Sequence, residues 1–187
     1  MSLFPNLPLR TARLVLRPPE MDDAEALFAM HADPEVMRYW ATPPWQAMDQ
    51  AVDRIEKDRA SLLDGSAIRL LLQPAEGGPI LGAATLFAFV AQSCRAEVGY
   101  ILARPAWGLG LMQEALGALL QYGFGELGLR RIEADIDPRN ARSARILERL
   151  GFVREGHLRE RWVVGDEVSD TDFYGLLARE FIGRDRI

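Results

Sequence analysis

The residues best set to do chemistry are Trp107-Gly-Leu-Gly-Leu-Met-Gln113, two glycines one residue apart standing before a stretch of helical periodicity. A loop entered from a strand and left into a helix points unpaired backbone N–H groups and the positive end of a helix dipole at one spot, which makes an anion site. Gly108 and Gly110 let the main chain come close to a bound group and take dihedrals that a side chain forbids. A tight helix entry would use the same pair. Three or four amides on a pyrophosphate, at about 1.5–3 kcal/mol for each charge-assisted hydrogen bond, would supply much of a micromolar affinity. A dinucleotide fingerprint needs glycine where Gln113 stands, and neither G-K-[ST] nor G-x-S-x-G occurs. Dinucleotide, P-loop and serine-hydrolase sites are thereby disfavoured.

Other reactive side chains point to less. Glu133, Asp135 and Asp137 alternate along a strand and predict a solvated face rather than a metal or acid/base cluster. Cys94, the single cysteine, has only His31 and His157 for company, so no spacing resembles a zinc or transition-metal ligand set. It reads as a small apolar filler, and the absence of an internal disulfide predicts a cytoplasmic protein without a metal. A net charge of −5, with arginine supplying 21 of the 22 basic residues, argues against bulk nucleic-acid binding. No run approaches the ~18 apolar residues of a membrane span, and no signal segment opens the chain.

These residues need a frame. At 187 residues and 49% hydrophobic, the composition suits one globular domain, which should bury about 70% of its unfolded surface. Arg13-Leu-Val-Leu-Arg17 alternates and stops at Pro18-Pro19, which predicts a first strand. Asp22-Asp23 before Ala24, Leu27, Phe28 and His31 predicts a short helix ending near Asp33-Pro34; Met48, Ala51, Val52, Ile55 and Leu62 predict a second, closing at Gly65. Apolar runs at 68–72 and 80–90, joined across Pro74-Ala-Glu-Gly-Gly-Pro79, read as hairpin strands. The strand over 95–102 follows, with Glu97, Gly99 and Ile101 on one side and Val98, Tyr100 and Leu102 on the other. After the glycine loop, 111–127 is helical and 131–137 is a strand with Ile132, Ala134 and Ile136 inward. A helix from Asn140 to Leu150 stops at Gly151; strands over 152–154, 160–164 and 169–177, with a turn at Gly165-Asp166, close an α/β domain.

Arg13-Leu-Val-Leu-Arg17, Glu97-Val-Gly-Tyr-Ile-Leu102, Trp107 to Ala115 and Asn140-Ala-Arg-Ser-Ala-Arg-Ile-Leu-Glu-Arg-Leu-Gly-Phe152 stand in the order and spacing of a known family. Across residues 8 to 180 the sequence resembles the GCN5-related N-acetyltransferases (GNAT), in particular the ribosomal-protein-alanine branch of RimJ/RimL type. The resemblance implies a single α/β (α+β) domain over 8–180 with terminal extensions at 1–7 and 181–187. Its mixed, mostly antiparallel sheet would be splayed between the fourth and fifth strands, with helices on both faces and acetyl-CoA in the cleft. It also implies cofactor roles: the main chain of Tyr100, Ile101 and Leu102 pairs with the pantetheine arm, the amides of Leu109, Gly110, Leu111, Met112 and Gln113 hold the pyrophosphate, Asn140 touches the arm, and Ser143 lies near the thiol sulfur. Arg104, Arg142 and Arg145 either pair with CoA phosphates or lie on the surface. Two positions depart from the family: Met112 stands where a small residue is usual, and Leu147 where many relatives carry a tyrosine acid.

Acetyl transfer needs a neutral amine, a donor for the developing oxyanion and a proton for the thiolate. At pH 7, neutralising an α-amine of pKa ~8 costs about 1.4 kcal/mol, against about 4.6 kcal/mol for a lysine amine near 10.4. A carboxylate acting through water suffices for the α-amine. Glu97 is the first candidate and Glu160 the second, with Ser143 or a water as the acid. The aromatic connection holding Trp40, Pro43-Pro44 and Trp45 either walls the acceptor site or anchors two helices to the sheet. The expected acceptor is a protein or peptide N-terminal α-amine; the alternatives are a small amine such as an aminoglycoside, polyamine or amino acid, or an acyl-CoA sensor without turnover. Relatives are monomers or dimers, and the hairpin from Val163 to Tyr174 could form an interface.

Overall fold

A computed structural model describes residues 3–181. Eight strands form one sheet in the order β1-β2-β3-β4-β5-β6-β8-β7: β1 Leu9–Arg10, β2 Leu14–Arg17, β3 Ile68–Pro74, β4 Gly82–Val90, β5 Arg95–Leu102, β6 Arg131–Ile136, β7 Val153–Val164 and β8 Glu167–Leu177. Every pairing is antiparallel except β5 with β6. The helices are α1 Ala24–Ala32, α2 Pro34–Met37, α3 Asp49–Asp64, α4 Leu111–Gly125 and α5 Ala141–Arg149.

The period-2 alternation of the strands separates two cores. Leu70, Leu72, Leu86 and Val98 face α4 and α5 together with Leu116, Leu119 and Leu147. Their strand neighbours Leu71, Ala83 and Ile101 face α1–α3 with Leu27, Met37 and Ile55. Each such leucine or isoleucine, fully removed from water, contributes about 1.5–3 kcal/mol. α3 ends where Gly65 takes φ 81 and donates its N–H to the Ser61 carbonyl. Phe4 and Leu7 pack with the larger core, where Phe4 is buried, and Phe181 is buried at the other end; 1–2 and 182–187 lie outside the described residues.

β5 and β6 pair only at Arg95↔Arg131, Ala96↔Ile132 and Glu97↔Glu133. Beyond Glu97 they part, so Val98–Leu102 keeps β4 on one side and has no strand on the other. With Leu9–Arg10 counted as β1, this is the expected splay between central strands. Tyr100 occupies the wedge, its hydroxyl 3.5 Å from the Ser143 carbonyl on α5.

Three elements differ from the sequence-based expectation. α1 ends at Asp33 as expected, but a further short helix, α2, follows at once, with Asp33 as its cap accepting the Glu35 N–H at 2.9 Å. The pieces over 152–154 and 160–164 are one strand, β7, which carries register shifts between Arg154 and Gly156 and between Leu158 and Trp162. As an exposed edge strand it has no burial alternation for the sequence to display. The carboxylates of β6 are not a solvated face: Glu133 is 8% and Asp137 9% exposed. Glu133 bonds Arg95 and Arg131, each at 2.6 Å, and Asp137 bonds Arg139, so arginines cover these carboxylates.

Candidate active site

The splay opens into a cavity of about 760 Å³. Its walls come from the α2–α3 connection, α3, β3, β5, β6, the N-terminus of α5 and the β7–β8 hairpin. Glu97 sits at the vertex, the last residue of β5 paired to β6, half-buried and facing the cavity. Burial pushes its carboxyl above the usual carboxylate range, the Glu133 and Asp135 charges add to the rise, and Arg95 and Arg161 oppose it. Its neighbours are already engaged: Glu133 by two arginines, and Asp135 by the Thr171 hydroxyl at 3.0 Å and the Trp162 Nε1–H at 3.3 Å. Among the described residues no hydrogen bond engages the Glu97 carboxylate. Opposite it, β4 bulges between Phe87 and Val90, with Ala88 at φ 51.

Tyr100, Ile101, Asn140 and Ser143 share this cavity with Glu97. Asn140 caps α5 by accepting the Ser143 N–H at 3.1 Å, which fixes Ser143 at the first turn facing the open edge of β5. Burial pushes the Tyr100 phenol up to about 12, so it stays protonated. The Leu102 carbonyl accepts the Trp107 Nε1–H at 2.8 Å, a contact that sets the path from β5 into the glycine loop.

The expected phosphate segment, Leu109 to Gln113, lies outside the cavity wall, at the start of α4. Gly108 and Gly110 take φ 77 and 74, and no side chain caps the helix. Met112 turns into the core at 3% exposure, away from that N-terminus, which accommodates its bulk. Sequence reasoning missed Arg13 here: from the start of β2 it donates to the Leu109 carbonyl at 2.9 Å and to Glu114 at 2.6 Å. Nothing local signals a contact that spans 101 residues.

Other candidates separate clearly. Glu160 is exposed on β7 with φ 53 and lies outside the cavity wall, its N–H donating to Asp170. Leu147 is buried in the core. Arg104 pairs with Asp33 at 3.2 Å, Arg142 lies over the Trp107 ring at 5.0 Å, and Arg145 is exposed on α5. Cys94 lies outside the cavity. Trp40 and Trp45 divide the two roles offered for them: Trp40 lines the cavity, whereas Trp45 stacks on buried His31 with centroids 4.0 Å apart.

A second group escaped notice in the sequence. Arg69, on β3, is 7% exposed and lies 3.1 Å from Asp58 on α3, which also pairs with Arg54 at 2.9 Å. Both arginines line the cavity. The available signals were an arginine inside the apolar run Ile68-Arg-Leu-Leu-Leu72 and the i,i+4 spacing of Arg54 and Asp58.

Among the described residues no group of His, Cys, Asp and Glu side chains is arranged to hold a metal ion, and no helix is long and apolar enough to cross a membrane. The acetyltransferase (GNAT) domain family matches residues 13–153. The uncharacterized N-acetyltransferase p20 of Bacillus licheniformis is 37% identical over 94% of this chain and 98% of its own length. A spermidine N(1)-acetyltransferase of Escherichia coli is 28% identical, over 83% of this chain and 81% of its own length. The crystal structure of a GNAT-family acetyltransferase from Bacillus anthracis superposes with a TM-score of 0.83 at 25% identity, covering 93% of this chain and 100% of that one.

Proposed function

The chain belongs to the GNAT acetyltransferase family, and from that membership we propose that it moves the acetyl group of acetyl-CoA onto a primary amine, a protein or peptide N-terminal α-amine. The observation that carries this reading is the open edge of β5, Val98–Leu102, running from Glu97 toward the glycine loop and facing Asn140 and Ser143 across the splay. An extended pantetheine arm satisfies such an edge as a strand would. The amides of Leu109 to Gln113 take the pyrophosphate, with the Arg13 guanidinium beside them.

Glu97 accepts the amine proton through a water, the amine nitrogen attacks the thioester carbonyl, and the C–S bond breaks as the amide C–N bond is completed. Ser143 or water supplies the proton that the departing thiolate takes up. The raised pKa brings the Glu97 carboxylate nearer to the amine it serves, which favours transfer. It suits an α-amine, whose neutral form lies only about 1.4 kcal/mol away at pH 7.

A small amine is the second reading, supported by the spermidine acetyltransferase among the relatives. Calorimetric titration with acetyl-CoA, followed by product masses from a panel of N-terminal peptides, amino acids, polyamines and aminoglycosides, tests both. Acetylated peptides support the first reading, acetylated polyamines alone replace it, and binding without any product removes transfer from the account.

A further inference from the structure

The cavity is electrically divided. At the vertex stand Glu97 and Asp135, on β5 and β6. At the other end Arg54 and Arg69 converge on Asp58, the sole carboxylate within ion-pair distance of either guanidinium among the described residues. Two guanidiniums share one carboxylate, so one positive charge remains in a place where Arg69 is 7% exposed. Neither pairing closes well: the Nε atoms of both arginines and Asp58 Oδ2 are buried without a properly aligned hydrogen bond. A pair kept only for the fold would need one arginine; the second, Arg54, has a side chain 37% exposed, so the surplus charge is offered to whatever fills the cavity. Burial and the neighbouring Arg54 charge already lower the Arg69 pKa to about 10. His31 behind them is neutral, so it adds no charge.

The remaining charged groups on the wall do not alter this division. Arg139 is tied to Asp137 and Glu167, and Arg38, itself exposed, lies over the Tyr39 ring. Arg69, Thr85 and Gly99 are register partners across β3, β4 and β5, and Glu97 lies two residues along β5 on the same face. Strand spacing and rise put the Cα atoms of Arg69 and Glu97 roughly 12 Å apart. Gly99 leaves the floor between them low: a Cβ there would come within 3.3 Å of the Phe87 ring.

We propose that the acceptor is a primary amine that carries an anionic group, carboxylate or phosphate, about a dipeptide's length from its nitrogen, and that Arg54 and Arg69 bind the anion while the amine faces Glu97. This deepens the acetyl-transfer reading and rests on it for the place of the amine. A polyamine puts a second cation where the arginines are, so it is a poor fit.

The test uses matched pairs with acetyl-CoA: alanyl dipeptides as free carboxylates and as carboxamides, and an amino-sugar phosphate beside its parent amino sugar, with spermidine alongside. The carboxylate and phosphate arms distinguish the sources of the anion. In the wild type the anionic member of at least one pair should exceed its neutral partner about tenfold in kcat/KM, with spermidine below both. In Arg54→Gln, and again in Arg69→Met, that ratio should fall toward one, while calorimetric binding of acetyl-CoA verifies the fold. Titrating the same pairs onto CoA-loaded protein reads the preference without chemistry. Neutral and anionic partners that react or bind alike overturn the anion proposal and leave acetyl transfer standing. Anion-selective binding without turnover overturns acetyl transfer and leaves the anion site standing.

Discussion

The two sides of the splay recognise by different means. On the proposed donor side the working groups are main-chain amides and carbonyls, offered by an unpaired strand edge and by the uncapped start of α4, where Leu109 and Gly110 are exposed. On the proposed acceptor side they are charged side chains: Arg69 and Asp58 are buried, and Glu97 and Asp135 half-buried. Main-chain groups keep their direction as long as the backbone does, and they do not titrate. Buried side chains bring charge into low dielectric, where each pKa depends on its neighbours. The donor side should therefore bind alike across pH and fail through backbone strain, and the acceptor side should be sensitive to protonation.

The largest effect expected is on Glu97. A positioned general base contributes about 10²–10⁴-fold, so Glu97→Gln should lower kcat at least 100-fold near pH 6. The deficit should shrink above the pKa of the amine, where the acceptor is neutral without help, and acetyl-CoA affinity should not change. Because burial and like charges raise the Glu97 pKa, the wild-type acid limb should lie above the ordinary carboxylate range. A variant with wild-type kinetics across pH would remove Glu97 from the reaction.

His31 gives the acceptor side a second, structural pH dependence. Burial holds it neutral with its pKa lowered from 6.5 to about 4, and it stacks under the connection that carries Trp40. Between those values the unfolded chain binds a proton that the folded protein refuses, so stability falls as pH drops from 6.5 toward 4 and levels off below. The loss approaches roughly 3 kcal/mol. Urea unfolding at several pH values should show this slope in the wild type and a smaller one in His31→Phe; equal slopes would mean that other groups carry it.

The donor side is tested through strain. Gly110 holds φ 74, a left-handed conformation that costs about 1–2 kcal/mol for a side-chain-bearing residue and more for a β-branched one. Gly110→Val should turn the loop, misdirect its amides and weaken acetyl-CoA binding about tenfold, with the same loss at pH 6 and pH 8. Gly128→Val supplies the control, since φ 64 there imposes similar strain just past the opposite end of α4. Equal affinities in both variants would make the glycine loop a helix entry only.

This contrast explains what was legible in the sequence. Main-chain sites are contiguous text: the β5 edge, the glycine loop and the Asn140 cap are single stretches whose glycines and cap residue are visible as letters. The sheet halves and α3–α5 were readable for the same reason, since 2.0 and 3.6 periodicities are local. The acceptor wall is built from elements spread along the chain, and its charges lie in contexts that mislead. Glu133 and Asp137 alternate like a solvated face but are buried, and Glu133 is held by Arg95, which reaches it from 38 residues away on β5. Arg69 in an apolar strand reads as an isolated exception until α3 brings Asp58 to it.

Ser143 and Arg13 should show the smallest effects. Ser143→Ala keeps the backbone N–H that Asn140 accepts, so it should fold normally and slow turnover only severalfold, because water can protonate the thiolate; a wild-type rate would take the hydroxyl out of the mechanism. Arg13 joins β2 to the glycine loop through the Leu109 carbonyl and Glu114, and its side chain is 51% exposed. An exposed bridge of this kind contributes about 0.2–1 kcal/mol, so Arg13→Ala should barely move the melting temperature. Its guanidinium nevertheless stands beside the amides proposed to hold pyrophosphate, where its removal should raise the acetyl-CoA Kd about threefold, and more steeply at low salt because exposed charges are screened. An affinity change without a stability change would mark Arg13 as a donor-side charge, a place where pyrophosphate recognition relies on a side chain. A stability change alone would mark it as a strut and leave pyrophosphate recognition to the main chain.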